Sequence, residues 1–386
     1  MPGSIKAFAQ ALLPHLQSVP ASLDFEAMAL GLFRLQFDRN PAYRRLCLAD
    51  GVQPDHVPSW DAIPAVPTVA FKEMAMTSLP EADRTHWFLS SGTTRQESSR
   101  HYHHADSLSL YEAAATAWFT PHLMGGLAAP LPSRQRFHFL SLTPSPDQAP
   151  HSSLVHMIAR VAPEHRAGPT RFLGTLASDG SWELDPSRCH DALREYDASA
   201  NPVLVLGTAF HFVHWLEAGP PRGVPPSLPP GSRVMETGGY KGRSRVLDKA
   251  ALHQAISELT GIPPSHIVSE YGMSELSSQA YDHAVPEPGQ PDPGPPPNQR
   301  SLRFPPWVRI RVISPEHGRE VAPGEIGRLR IWDLANVWSV MAIQTDDLAV
   351  RTADGFRLAG RAPAAPPRGC SLMVQPAPVP PPRGNR

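Results

Sequence analysis

The sequence predicts an α/β fold in which parallel sheets are flanked by helices and a small β unit is appended near the end of the 386-residue chain. Two observations predict it. Short apolar runs are each followed within a few residues by helical spacing, and strands that alternate with helices pair in parallel and bind ligands at their carboxyl ends. From residue 308 onward, β-rich runs joined by Pro and Gly replace this alternation, which is typical of antiparallel pairing.

The first forty residues predict two amphipathic helices. Phe8 and Leu12 belong to an apolar stripe at helical spacing that Pro14 interrupts, and a second stripe begins at Phe25. The segment 52–68 then carries four prolines, which break any helix, so it predicts a loop.

The alternating part of the chain lies between residues 137 and 269. Length and apolar spacing separate its strands from its helices. The predicted strands are 137–143, 203–207 and 266–269. The predicted helices are 152–162, 188–196, 209–218 and 247–260.

These patterns divide the chain into three regions. We expect an α/β body with its N-terminal helices over residues 1–307, a small β unit over 308–361, and a proline-rich arm over 362–386 that carries Cys370. The strands predicted for the β unit are 308–313, 326–332 and 356–358.

Composition limits the partners and the compartment. Lys and Arg number 35 against 36 Asp and Glu, a net charge of −1, so no basic field attracts nucleic acid. No apolar run approaches the ~18 residues of a membrane span. Three scattered cysteines do not form a disulfide framework. We therefore expect a cytoplasmic protein with no nucleic-acid partner and no membrane span.

A small-residue segment, Ser90-Ser91-Gly92-Thr93-Thr94, follows a short apolar stretch. Around a glycine, successive backbone N–H groups can converge on a phosphate while the hydroxyls add further donors. The segment is therefore a candidate phosphate loop. An ordinary surface loop of the same composition is the alternative.

A second cluster follows the strand predicted at 266–269. Tyr271 and Gly272 place an aromatic face at the strand end, where a purine can stack, and Ser274 belongs to the same candidate nucleotide-binding cluster. Glu275 offers the hard oxygen ligand that Mg²⁺ prefers when it bridges phosphates. The alternative is a strand-terminating turn with a core tyrosine and a surface glutamate.

The third cluster is acidic. Asp346 and Asp347 form a carboxylate pair of the kind that accepts hydrogen bonds from ribose hydroxyls. Arg361 is near enough in sequence to hold the ribose or the α-phosphate. Asp354-Gly355 is a hairpin-turn signal, so a polar hairpin end is the alternative.

The order of these three clusters resembles the adenylate-forming superfamily of acyl- and aryl-CoA ligases. Within it, the chain is most similar to the acyl-protein synthetase family, the fatty-acid-activating component of bacterial luminescence fatty acid reductase. Arg95 and Asp346 depart from the family pattern, because glycine usually stands at both positions. The joint match is specific, although each motif alone is not. The matching stretches are 63–72, 90–102, 270–281, 333–340 and 369–372.

The resemblance implies a reaction in two steps. ATP and a fatty or other hydrophobic carboxylic acid give an acyl-adenylate and pyrophosphate, with Glu275 as a ligand of Mg²⁺. A thiol then attacks the adenylate to form a thioester. The family carries its acyl-accepting cysteine near the C-terminus, which identifies Cys370 as the acceptor. The implied partner is a reductase or transferase that collects the acyl group.

The resemblance also suggests further site residues, each with an alternative. His101 lies in a matching stretch and is expected to line the site. Gly207 and Thr208 follow a predicted strand and can line an acyl pocket, although core packing explains them equally well. Gly239 can approach the adenine through its backbone, and a flexible loop is the alternative.

Two other functions stay open. An adenylating ligase would pass its acyl group to coenzyme A or a carrier thiol and leave Cys370 idle. A decayed adenylating fold would act as a binding or scaffold protein, which Arg95 and Asp346 favour. Larger superfamily members end in a mobile domain whose lysine assists adenylation. Because no lysine follows Lys249, we expect that domain to be missing from this chain.

Overall fold

The computed structural model describes residues 3–17, 23–90, 98–125, 136–197, 199–219, 227–238, 247–286 and 294–362. Within these ranges, none of the helices is both long and apolar enough to cross a bilayer. The α-helices of the described ranges are α1 Ile5–Gln17, α2 Phe25–Arg39, α3 Pro41–Ala49, α4 Ala70–Glu73, α5 Ala105–Leu123, α6 Ser153–His165, α7 Pro186–Arg194, α8 Ala209–Glu217 and α9 Lys249–Thr260.

The strands of the same ranges fall into two large sheets and two hairpins. They are β1 Val66–Pro67, β2 His86–Leu89, β3 Arg100–His103, β4 His138–Ser141, β5 Arg171–Phe172, β6 Gly174–Leu176, β7 Trp182–Leu184, β8 Val203–Thr208, β9 Arg233–Thr237, β10 Ile267–Tyr271, β11 Ala280–Tyr281, β12 Val308–Ile313, β13 Ile326–Asp333, β14 Ala342–Arg351 and β15 Phe356–Arg361.

A six-stranded sheet forms the centre of the α/β body, in the order β11-β10-β9-β8-β4-β5. Adjacent strands of this sheet pair in parallel, except that β11 is antiparallel to β10. Every residue of β9 and β10 is buried, as expected for a parallel sheet with both faces covered. The parallel α/β sheet predicted from the sequence is confirmed.

The sequence pattern misses β9, a central strand of this sheet. Arg233 and Glu236 interrupt the apolar run that marks the neighbouring strands. Arg233 is buried, its guanidinium lies 5.0 Å from the ring centroid of Phe137, and it donates to the carbonyl of Leu123 at the end of α5. The buried guanidinium therefore provides a hydrogen-bond donor for a carbonyl at the C-terminus of α5. The local sequence around Arg233 does not show that this partner exists.

The second sheet has the order β1-β14-β13-β12, with β15 paired to β14. The antiparallel unit predicted from residue 308 onward is present, and β12 occupies Val308–Ile313, the predicted range. The pattern misses β14, ten residues long, because Thr345, Asp346 and Asp347 interrupt its apolar residues.

One strand of this sheet comes from the α/β body. β1 lies inside the loop predicted at 52–68, where Val66 pairs in parallel with Ile343 of β14. The body and the β unit are therefore hydrogen-bonded to each other, and a domain boundary at residue 307 stays a prediction.

The N-terminal helix α2 is fixed to a distant segment by the buried side chain of Gln36. Its Nε2 donates to the carbonyl oxygens of Asn336 at 2.7 Å and Val337 at 3.2 Å. Its Oε1 accepts from the backbone N–H of Met341 at 3.1 Å. One amide thus satisfies three backbone groups of the loop between β13 and β14, which orders that loop next to the site.

A hairpin of β2 and β3 frames the candidate phosphate loop. Leu89 is paired with Arg100, so the loop connects two fixed strands. Ser90 N donates to the Ser99 carbonyl at 3.2 Å, and Ser99 N donates to Ser90 Oγ at 3.0 Å. These two bonds close the base of the loop.

Candidate adenylation site

The carboxyl end of β10 meets β14 of the other sheet through a hydrogen bond. Tyr271, the last residue of β10, donates from its hydroxyl to Asp347 Oδ2 over 2.8 Å. Its ring packs edge-on against Phe304 and Phe356. Burial raises the pKa of Asp347, and the Tyr271 hydrogen bond partly offsets that effect. Two residues predicted to bind the nucleotide, 76 positions apart, are therefore in contact.

Arg361 lies beside this pair because β15 is paired with β14. Its Cα is opposite that of Asp347, and its Nε is 3.9 Å from Asp347 Oδ1. The side chain is 71% exposed, so the ion pair contributes little to stability. An exposed guanidinium at this position can contact a phosphate or a ribose. The structure therefore brings together Tyr271, Asp347 and Arg361.

Glu275 is buried in the turn that follows β10, and both of its carboxylate oxygens accept hydrogen bonds. Ser99 Oγ donates to Oε1, and Ser274 Oγ donates to Oε2 over 3.0 Å. The Glu275 carbonyl accepts from Asn336 Nδ2 at 2.9 Å. Only 5% of the residue is exposed, which excludes the alternative of a surface glutamate.

The surroundings of Glu275 limit how a metal could bind. Within the described ranges, no group of three or more His, Cys, Asp or Glu side chains is placed to hold a metal ion. A single carboxylate suits Mg²⁺ when substrate phosphates and water complete the coordination shell. Glu275 fits that limited role, with Ser99 and Ser274 orienting its oxygens.

Ser90 and Ser99 connect the candidate phosphate loop to Glu275. Ser90 is bonded to Ser99 at the base of the loop, and the hydroxyl of Ser99 donates to the glutamate. Ser99 belongs to none of the three predicted clusters, although it lies in the stretch 90–102 that matches the family. Six predicted site residues lie outside the described part of the chain: Ser91, Gly92, Thr93, Thr94, Gly239 and Cys370.

His101 supports the turn that carries Glu275. Its Nδ1 donates to the carbonyl of Ser274 over 2.9 Å, and its side chain is buried. Burial lowers the pKa of His101 to about 4, so the ring is neutral near pH 7. Its expected contact with substrate stays a prediction.

Gly207 and Thr208 both have structural roles at the end of β8. A Cβ on Gly207 would lie 2.9 Å from Leu142 Cδ1, so glycine allows Leu142 to pack closely against the strand there. Thr208 Oγ1 accepts from the His211 N–H over 3.2 Å and caps α8. Their predicted place in an acyl pocket is untested by these contacts.

Sequence reasoning missed two buried carboxylates beside the site. Glu270 precedes Tyr271 on β10 and accepts a hydrogen bond from Thr237 Oγ1. Asp333 ends β13 and accepts from Ser278 Oγ at 2.8 Å. Each stands first in a stretch that matches the family, 270–281 or 333–340, which is the signal that could have found them.

Comparison with solved structures shows the fold. In the postadenylation state with 2-HIB-AMP, 2-hydroxyisobutyryl-CoA ligase matches with a TM-score of 0.63 at 15% identity, over 90% of this chain and 70% of that chain. An open conformation of that ligase with 2-HIB-AMP and CoA matches with a TM-score of 0.60 at 16% identity, over 87% and 69%. The chain therefore has the fold of the adenylate-forming ligases, as predicted.

The family follows from the sequence. A family model described as acyl-protein synthetase, LuxE, matches residues 21–377. The chain belongs to this acyl-protein synthetase family and is an ATP-dependent ligase that activates a carboxylic acid as an acyl-adenylate and transfers the acyl group. It is similar to the long-chain-fatty-acid–luciferin-component ligase of Aliivibrio fischeri, with 24% identity over 323 residues, 82% of this chain and 76% of the relative. The predicted family and enzyme class are confirmed.

Proposed function

We propose that this enzyme activates a long-chain fatty acid and passes the acyl group to Cys370 as a thioester. The contact of Tyr271 with Asp347 carries the proposal, because it sets an aromatic ring beside a carboxylate where the two sheets meet. That pair suits an adenosine, whose base stacks and whose ribose donates hydrogen bonds. Arg361 adds positive charge next to it.

In the first step, a carboxylate oxygen of the acid attacks the α-phosphorus of ATP and pyrophosphate leaves. Arg361 and the donors of the loop 90–94 stabilise the charge that develops on the phosphate oxygens. Glu275 would hold Mg²⁺, which supplies further neutralisation of the phosphates when bound. Asp347 fixes the ribose, while Tyr271 and the backbone of Gly239 border the adenine.

In the second step, the thiol of Cys370 attacks the carbonyl carbon of the adenylate. The two other cysteines are poor candidates, because burial raises the pKa of Cys47 to about 11 and that of Cys189 to about 12. The thiolate is the nucleophilic form, so neither supplies it readily near pH 7. Cys370 lies inside the range matched by the family model.

The relative's name supports the substrate and the partner. That protein is named as a ligase of a long-chain fatty acid and a luciferin component. By analogy, the acid activated here is a fatty acid. Its carboxyl end is bordered by His101, Gly207 and Thr208. A separate reductase or transferase then collects the acyl group from the cysteine.

Intact-mass analysis tests the proposal. After incubation with ATP, Mg²⁺ and fatty acids of graded length, we expect the protein to gain the mass of one fatty acid less water. Cys370→Ser is expected to lose this label while acid-dependent ATP–pyrophosphate exchange stays within about threefold of wild type.

Cys189→Ser is the matched control and is expected to keep the label, since that thiol is buried. A label retained on Cys370→Ser contradicts the assignment of the acceptor. Acyl transfer to added coenzyme A with an unlabelled wild-type protein favours a CoA ligase instead.

A further inference from the structure

Three polar side chains stand side by side at the carboxyl end of the parallel sheet. Thr208 of β8 is the Cα partner of Thr237 of β9, which is the Cα partner of Glu270 of β10. Residues in register on parallel strands point to the same face, so two hydroxyls and a carboxyl form a row. Tyr271 follows Glu270 and points to the opposite face, toward Asp347.

This arrangement places the reacting carbonyl near Glu270. An acyl-adenylate joins a nucleotide to an acyl group through one carbonyl carbon. If Tyr271 and Asp347 hold the nucleotide on one side of the end of β10, the acyl group and the incoming thiol occupy the other side. Glu270 and Gly272 border that position. This step rests on the proposed function.

Gly272 leaves room for the Glu270 carboxyl group at the strand end. A Cβ on Gly272 would overlap Glu270 Oε1 and would lie 3.5 Å from Gln279 Cγ. The glycine does not have a positive φ, so its backbone conformation suits any residue. What the site requires of Gly272 is therefore the absence of a side chain beside Oε1.

Glu270 also differs from the other carboxylates of the site in its hydrogen bonds. Its Oε2 accepts from Thr237, and no described residue donates to its Oε1. Glu275 accepts a hydroxyl on each oxygen. Asp347 accepts from Tyr271 on one oxygen and faces Arg361 with the other. Glu270 thus keeps an acceptor atom to which none of the described residues donates, and which an incoming group can use.

The charges around Glu270 suit a proton acceptor near neutral pH. Burial, with a smaller contribution from the charge of Glu236 on β9, raises the pKa of Glu270 to about 7, and the Thr237 hydrogen bond partly offsets the rise. The other titratable groups that face it are Tyr111 of α5 and Tyr281 of β11, whose pKa values are raised by burial and by Glu270 itself. General bases work best with a pKa near the working pH.

We propose that Glu270 is a further catalytic residue of this enzyme, which accepts the thiol proton when the acyl group leaves the adenylate. The sulfur forms a bond to the acyl carbon, the bond between that carbon and the AMP oxygen breaks, and AMP departs with the electron pair. The S–H proton passes to Glu270 Oε1 and then to solvent. Adenylation needs no such acceptor, because the acid enters as a carboxylate.

The test separates the two half-reactions in the full chain. Adenylation is followed by acid-dependent ATP–pyrophosphate exchange, and transfer by the growth of acylated protein in a single turnover between pH 5.5 and 9. Glu270→Gln is expected to keep the rate of exchange within about threefold of wild type. It should slow transfer at pH 7.5 by about 10²-fold or more, which is the range of general-base contributions. Its transfer rate should also lose the inflection near pH 7. Glu270→Asp should restore part of the rate.

Glu236→Gln is the matched control, since Glu236 is equally buried on the adjacent strand but points to the opposite face. Removing its negative charge should lower the inflection of the transfer profile while transfer itself persists. Gly272→Ala should also slow transfer, because its Cβ would displace the Glu270 carboxyl group.

Three outcomes overturn the inference. Transfer by Glu270→Gln within threefold of wild type with an unchanged pH profile removes the proton-accepting role. Equal losses of exchange and transfer in Glu270→Gln indicate a purely structural role. If the pH of the inflection in the transfer rate is unchanged in Glu236→Gln, the inflection belongs to a group other than Glu270. Absence of exchange in the wild type would instead contradict the proposed function.

Discussion

Asp333 and Glu270 are carboxylates with similar burial and different surroundings. Asp333 is 0% exposed and accepts hydrogen bonds from the backbone N–H groups of Ser277 and Ala335 and from the hydroxyl of Ser278. Glu270 is 7% exposed and accepts one described bond, from a threonine hydroxyl. Burial raises the pKa of Asp333 to about 6 and that of Glu270 to about 7.

The difference separates a structural carboxylate from a reactive one. Asp333 joins two loops by accepting donors from both, and leaving those donors unpaired would be costly. Glu270 has spare acceptor capacity at the end of a strand, where a substrate arrives. Two carboxylates with similar burial can therefore have different roles. The number of hydrogen-bond donors that the fold provides to each carboxylate distinguishes the structural role from the reactive one.

The largest effect expected from this comparison is on stability. Asp333→Ala leaves three buried donors without their acceptor and should lower the free energy of unfolding by about 3–5 kcal/mol. Glu270→Gln should cost no more than about 1 kcal/mol, because Thr237 keeps an acceptor. Urea denaturation followed by circular dichroism measures both. Asp354→Ala, in an exposed turn, is the control and should stay within about 0.5 kcal/mol. Equal losses for Asp333→Ala and Glu270→Gln would remove the distinction.

The second expected effect is on the pH dependence of stability. The pKa of Glu270 rises from 4.5 to about 7 on folding, so the native state binds a proton that the unfolded state releases. Stability from this group is therefore lost as pH rises from about 4.5 to 7, by up to about 3 kcal/mol. Relative to wild type, Glu270→Gln should gain stability across that window, measured by urea denaturation at pH 5, 6, 7 and 8. A constant difference at all four values would contradict the raised pKa.

The smallest expected effect concerns a third carboxylate, Asp347. It has more described partners than Glu270 and fewer hydrogen-bond donors than Asp333. Asp347→Ala should raise the KM for ATP about 10- to 100-fold by removing the acceptor for the ribose, with the KM for the acid changed less than threefold. Pyrophosphate exchange measures both constants. Asp346→Ala is the neighbouring control and should leave the KM for ATP within threefold. Equal effects of the two variants would argue against a ribose role specific to Asp347.

The sequence predicts the parts of the fold that local patterns encode. The bounds of β12 follow from its β-rich run between turn residues, and the parallel sheet follows from alternating strands and helices. β9 and β14 escape prediction because Arg233 and Asp347 sit in them for reasons found elsewhere in the molecule. Such residues satisfy distant partners, and no window of sequence contains both halves of the contact.

The site, like the fold, has features that local sequence patterns predict and features that depend on distant contacts. The order of motifs indicates Tyr271, Asp347 and Arg361 as nucleotide residues, but their contact depends on how two sheets meet. Glu270 escapes notice because a glutamate next to a motif has the same appearance whether or not the fold provides donors for it. Counting its hydrogen bonds requires coordinates.

The amide of Gln36 has a consequence for the order of events during synthesis. Its partner Asn336 lies 300 residues later, and Val66 must likewise wait for Ile343. At about 5–20 residues per second, the ribosome needs about 15–60 s to deliver those partners after α2 has emerged. During that interval the apolar face of α2 has no final neighbour in the second sheet. Newly made chains should therefore engage chaperones through their first forty residues, and mRNA changes that slow translation after that point should lower the yield of soluble enzyme.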